Sequence, residues 1–136
     1  MKRVLVIDDD PAIAQLVSAA LSAQGVLHEL SYCQDGGQGR LLATQGRHDL
    51  VVLDLLMPVV NGIEALAAMR RASRSALTPV VVLSGRDDLP TRRYVERLGI
   101  TAFVPKPVSA QQLGQLMCEV LGETPAQPAG LGRAGH

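Results

Sequence analysis

Five polar residues stand where apolar runs stop. Asp8 and Asp9 follow Val4–Ile7, Asp54 follows Leu50–Leu53, Ser84 follows Pro79–Leu83, and Lys106 comes just after Ala102–Val104. An ionised side chain at the rim of an apolar run is costly unless it is paired or binds a cation. If the Val4–Ile7 and Leu50–Leu53 runs are neighbours, three carboxylates crowd into one crevice. Two unit charges ~4 Å apart repel by roughly 4 kcal/mol at an effective dielectric near 20. A hard divalent cation with oxygen ligands answers that repulsion, and Mg²⁺ would keep several waters while taking one or two carboxylates. Lys106 supplies a positive charge and Ser84 a hydroxyl, so the set suits a doubly charged tetrahedral oxyanion beside a metal. In such a pocket a carboxylate such as Asp54 can attack a phosphoryl group and form an aspartyl phosphate. The cation and Lys106 would offset the repulsion between carboxylate and phosphate.

These residues need a scaffold that brings strand ends together. Asp10-Pro11 reads as a cap and first residue of a helix with the stripe Ile13, Leu16, Val17, Ala20 and Leu21, stopped by Gly25. Val26–Cys33 is a weaker strand with polar interruptions, expected near a sheet edge. Asp35–Gly46 is expected to be a second helix with Leu41 and Leu42 facing inward; its glycines cost about 1 kcal/mol each relative to alanine, so it should start late or fray. Leu50–Leu53 runs into Asp54, Met57-Pro58 forces a turn, and Asn61 or Gly62 opens a third helix with Ile63, Leu66, Ala67 and Arg70. After Pro79–Leu83, Asp87, Asp88 and Pro90 start a fourth helix with Tyr94, Val95 and Leu98 inward. Ala102–Val104 is the last strand, and Ser109 caps a helix with Leu113, Leu116, Met117, Val120 and Leu121 on one face. Five short strands alternating with five helices mean an α/β domain whose parallel sheet is covered on both faces. Ligands bind outside the carboxyl ends of such strands.

The totals agree with one domain: 136 residues, 47% hydrophobic, and so few aromatics that the core must be aliphatic. Zero formal net charge weighs against direct nucleic-acid binding. The opening MKRVLVIDDD is too short and too acidic for a signal peptide or membrane span, so no membrane association is expected. Cys33 and Cys118 match no metal or redox spacing and read as small apolar residues in a reducing, cytoplasmic compartment. His28, His48 and His136 lie away from the strand ends, and Arg92, Arg93 and Arg97 read as a solvated or partner-contacting helix face. After Leu121 the composition shifts to Gly, Pro and Ala, which divides the chain into a domain over 1–121 and a tail or linker over 122–136.

VLVIDDDP, VVLDLLMPVVNG, VVLSG and FVPKP, in this order and spacing, resemble a response-regulator receiver domain over residues 2 to about 121. The resemblance implies a flavodoxin-like, doubly wound five-stranded sheet in the order 2-1-3-4-5. It implies Asp54 as phosphoacceptor, with Mg²⁺ (or Mn²⁺) held by Asp9, Asp54 and the Leu56 carbonyl, and by Asp8 mainly through water. Ser84 would contact the phosphoryl group, Lys106 would pair with it, and Lys106-Pro107 is similar to the family's cis peptide. Phe103 takes the aromatic switch position: in the family, Ser84 moving toward phosphate lets that ring turn inward and reshapes the face built from the fourth helix, fifth strand and fifth helix. The implied partners are a histidine kinase or histidine phosphotransfer protein and an output protein or domain. A receiver of this kind is no enzyme beyond assisting its own phosphorylation and dephosphorylation. It would either stand alone or be cut from a longer protein at its linker.

The departures are Phe103 in place of the frequent Tyr, the apolar Leu56, the cationic Arg86 and the glycine-rich second helix. A haloacid-dehalogenase-like phosphatase with Asp8 as nucleophile and Asp10 as acid is the competing reading, weakened by Ala12 where a threonine-like residue is expected and by the lack of a cap domain. A receiver-like module that binds partners without phosphate is a third.

Overall fold

The computed structural model describes residues 1–55, 62–85 and 88–123. Strands and helices alternate: β1 (Lys2–Ile7), α1 (Pro11–Ala23), β2 (His28–Cys33), α2 (Gly36–Gln45), β3 (Leu50–Leu53), α3 (Gly62–Arg71), β4 (Val80–Ser84), α4 (Leu89–Leu98), β5 (Ala102–Pro105) and α5 (Ala110–Leu121). All strand pairs are parallel, and the sheet order is β2-β1-β3-β4-β5, as expected. The chain therefore reverses its winding between β1 and β3, where Ile7 lies level with Leu53. The residues that follow them, Asp8 and Asp54, are thereby neighbours.

Alternation along each strand splits the core in two. Val4, Val6, Leu50, Val52, Val81 and Leu83 face α1 and α5, where they meet Val17, Leu21, Leu113 and Met117. Leu5, Ile7, Val51, Leu53, Val80 and Val82 face the other way, with Leu66 and Met69 of α3, Val95 of α4 and Phe103. Each fully buried aliphatic side chain contributes about 1.5–3 kcal/mol relative to exposure. That is why strands as short as β3, with every residue buried, hold their register. Cys33 and Cys118 are free and buried, in keeping with an apolar role.

Caps fall where the sequence places them. Asp10 accepts from the Ala12 N–H, Asp88 from Thr91, and Ser109 from Gln112. The expectation for α2 is corrected. The helix begins at once, because Asp35 accepts from the Gln38 N–H at 2.8 Å. Its buried face is Gly36, Gly39 and Ala43, which turns Leu41 and Leu42 toward solvent. The glycines serve close approach: a Cβ on Gly39 would sit 2.7 Å from Ile7 Cγ2. Tyr94 is likewise exposed, since α4 buries only Val95 fully and carries four charged residues, Arg92, Arg93, Glu96 and Arg97. Asn61, Asp87, Met57-Pro58 and most of the proposed tail lie outside the described residues.

Two predictions follow from packing. Gly39→Ala gains up to about 1 kcal/mol of helix propensity but forces α2 off the fully buried Ile7, an overpacking that costs about 1–3 kcal/mol. Urea unfolding is expected to show a net loss. His48 is held below its ordinary 6.5 by burial first and by Arg3 second, with Asp49 opposing. The unfolded chain therefore takes up a proton before the folded one does. The stability tied to this ring is complete above about pH 6.5 and lost as pH falls through the lower folded value. His48→Gln should flatten the decline in urea midpoint below pH 6.5.

Candidate functional site

The carboxyl ends of β1, β3, β4 and β5 deliver the site. Asp8 and Asp54 extend the ladder past the last strand residues: the Asp8 N–H donates to Cys33 O at 3.1 Å and the Asp54 N–H to Ile7 O at 2.9 Å. Both side chains are buried, Asp8 at 1% and Asp54 at 5% exposure, whereas Asp9 points to solvent. Oxygens of Asp8, Asp9 and Asp54 nevertheless lie within 4.8 Å of one another. Lys106 enters from β5, its backbone N–H donating to Ser84 O at 2.8 Å. Its Nζ donates to Asp8 Oδ2 at 2.9 Å and lies 3.5 Å from Asp54 Oδ2. The Lys106-Pro107 peptide is cis. Ser84 ends β4 with its side chain fully buried.

Electrostatics show what holds the group together. Burial works against the Lys106 charge, but the Asp8 hydrogen bond and the Asp54 and Asp8 charges outweigh it and raise its pKa above the ordinary lysine value. Asp8 is raised from its ordinary 3.8 chiefly by burial, against the opposing Asp10 N–H and Lys106. Among the described residues, three carboxylates against one ammonium leave two negative charges, which a divalent cation would balance. The donors are all oxygens, as Mg²⁺ prefers, so the residues fit such an ion.

Sequence reasoning named Asp8, Asp9, Asp54, Ser84 and Lys106, and the structure brings the three acids and Lys106 together beside the end of β4. The Leu56 carbonyl and Arg86 lie outside the described residues. Phe103 is buried on the β5 face beside Val82, on the same side of the sheet as Ser84. His28 is engaged with Ser18 and Val26 O at the far end of β2. Asp10, the acid of the phosphatase reading, caps α1 instead.

Two residues escaped the sequence reading. Gly62 packs so closely on the backbone of Asp54 that any Cβ there would collide with the Asp54 carbonyl, and its N–H donates to Leu55 O at 3.0 Å. Gly62 was legible as the opening of the third helix, which it is, but not as a close neighbour of the Asp54 backbone. Tyr32 lies level with Val6 on β2, and its hydroxyl is buried without a hydrogen-bond partner among the described residues. Burial first, then the charges of Asp8, Asp10 and Asp9, push its pKa up. The β1–β2 pairing was the signal that places it near the acids.

Comparison with known proteins agrees with this geometry. The family model described as the response regulator receiver domain matches residues 4–117. The master transcriptional regulator RpaA of Synechocystis is 34% identical over 113 residues, 83% of this chain but 46% of RpaA. PilH of Pseudomonas aeruginosa is 29% identical over 121 residues, 89% of this chain and 98% of PilH. The chain thus spans about half the length of RpaA and nearly all of PilH. The receiver domain of the sensor histidine kinase PA1611 from P. aeruginosa, with magnesium coordinated in its active-site cleft, is alike in fold. Its TM-score is 0.76 at 21% identity, covering 90% of this chain and 98% of that one.

A raised carboxyl pKa means the fold disfavours the ionised form, so ionised Asp8 lowers stability as pH rises through its folded pKa. Asp8→Asn is therefore expected to raise the urea midpoint at neutral pH in chelator. It should also shrink the gain in midpoint that added Mg²⁺ gives the native chain, since a cation bound to the folded state stabilises it by mass action.

Proposed function

The chain belongs to the response regulator receiver family, the phosphoacceptors of two-component signalling, and on that premise we propose that Asp54 is its acceptor. The observation that carries this reading is Lys106 Nζ lying between Asp8 and Asp54, 2.9 Å from one and 3.5 Å from the other. A bare carboxylate repels an incoming phosphoryl group. Here an ammonium and an oxygen-only donor set stand beside the carboxylate that would attack.

A carboxylate oxygen of Asp54 forms a bond to phosphorus as the bond from phosphorus to the donor's leaving atom breaks, and the electron pair leaves with the donor. Burial of Asp54 limits the water that reaches the acyl phosphate. Lys106 pairs with the transferred group, and the Ser84 hydroxyl at the end of β4 contacts one of its oxygens. Asp8, Asp9 and Asp54 would hold Mg²⁺ or Mn²⁺, with the Leu56 carbonyl as a further ligand. That ion, when bound, supplies the positive charge that offsets the acids and the phosphoryl oxygens. The donor is a histidine kinase or histidine phosphotransfer protein. The output is an altered α4-β5-α5 face offered to a protein partner, with Ser84 as the group that responds at the pocket. Residues 1–121 form the receiver and 122–136 a tail, and the setting is cytoplasmic. Among the described residues no helix is long and apolar enough to cross a membrane.

Intact mass after acetyl phosphate with Mg²⁺ tests the reading. The native chain is expected to gain one phosphoryl group and Asp54→Asn none. Lys106→Ala should still take up the group but lose most of the conformational response, read as amide chemical-shift changes over α4 and β5. Catalytic turnover that depends on Asp8 would favour the phosphatase reading instead. Unchanged mass with undiminished partner binding would favour a phosphate-independent module.

A further inference from the structure

Phe103 sits at the position assigned to the aromatic switch, yet the residue is only 9% exposed and belongs to the half-core under α3 and α4. A phenyl ring has no hydroxyl to reward with water, so turning it outward only exposes apolar surface. The remaining opening is covered. The Arg92 guanidinium of α4 lies over the ring with its central carbon 5.1 Å from the ring centroid. A guanidinium within about 6 Å of a ring centroid is attracted by the negative ring face. Arg92 is itself steadied by Glu96 one turn on, Nε to Oε2 3.6 Å.

We propose that Arg92 holds Phe103 in its buried seat whether or not Asp54 is phosphorylated, so that the aromatic position is preset. Arg92 is thus a positioning residue acting through Phe103. The inference rests, for its phosphorylated half only, on Asp54 being the acceptor. It also explains how a receiver with Phe at this position dispenses with the hydrogen bond a Tyr would make: a cation on the neighbouring helix supplies the restraint.

Phe103 is the single phenylalanine of the sequence, so incorporation of para-fluorophenylalanine gives one fluorine NMR resonance, from this ring. In the native chain the resonance is expected to show a small H₂O/D₂O shift and to stay in place after acetyl phosphate and Mg²⁺. Arg92→Ala, measured without donor, should move the resonance and raise its solvent shift, reporting an about two- to five-fold gain in the open ring population. Arg92→Lys, which keeps a cation but not the flat stack, should return it partway, a rescue that mere helix loosening would not give. Glu96→Gln leaves the ring contact untouched and should give a smaller shift in the same direction, which keeps the test available if the alanine variant is poorly folded. An Arg92→Ala resonance that coincides with the native one overturns the proposal. So does a native resonance that moves on phosphorylation as far as Arg92→Ala moves it. Mass on the same samples reports uptake separately: a chain that takes up no phosphoryl group defeats the Asp54 reading, while the donor-free comparison still decides the role of Arg92.

Discussion

Two buried carboxylates kept side by side are the constraint on which the carboxyl end of the sheet depends. Asp8 and Asp54 are almost wholly withdrawn from water, and their repulsion is met by one ammonium. Charges separated by the 4.8 Å that bounds the acidic cluster repel by about 3–4 kcal/mol per pair at an effective dielectric near 20. Burial works against the Lys106 charge and the acids more than restore it, while burial raises Asp8 despite Lys106. The group is therefore left short of positive charge. That shortage, counted over the described residues, suits the group to a divalent cation.

The fold produces this arrangement without special chemistry. Parallel strands send all their carboxyl ends to one edge, and the reversal of winding between β1 and β3 opens a crevice there. Ile7 level with Leu53 sets the two acids abreast, and Ser84 level with Pro105 brings Lys106 one residue beyond. Aliphatic burial on both faces fixes these registers, so the positions of the charged groups are consequences of Val, Leu and Ile packing. Gly39 and Gly62 complete the arrangement by leaving room for Ile7 and for the Asp54 backbone respectively.

Most of this was legible in the sequence because strands buried on both faces read as unbroken apolar runs, and a polar residue at the end of each then stands out. Helix caps were legible for the same local reason, as Asp10, Asp88 and Ser109 each sit one residue before a helical stripe. What failed was the reading of helix faces where glycine or charge replaces the apolar stripe. In α2 the leucines looked like the buried face, but the helix lies so close to β1 that only Gly36, Gly39 and Ala43 fit against it. In α4 Tyr94 looked like core, yet its ring lies outside with Arg97 5.9 Å from its centroid. Neither closeness of approach nor a cation over a ring has a one-dimensional signature. Tyr32 and Gly62 were missed because their importance arises from strand pairing and backbone contact.

The two half-cores give the site a direction. Ser84 follows Val80 and Val82 at two-residue spacing, so its side chain belongs to the face that carries Phe103, α3 and α4. Leu83, beside it, belongs to the opposite face with α1 and α5. The pocket end of β4 therefore turns the Ser84 side chain to the α3–α4 side, while α5 is anchored through Leu113, Met117, Cys118 and Leu121 to the opposite half-core. α4 is also the less anchored of the two, with Val95 as its one fully buried residue against five buried positions in α5. Close-packed cores transmit strain instead of absorbing it, so the lightly buried α4 is the less constrained of the two helices.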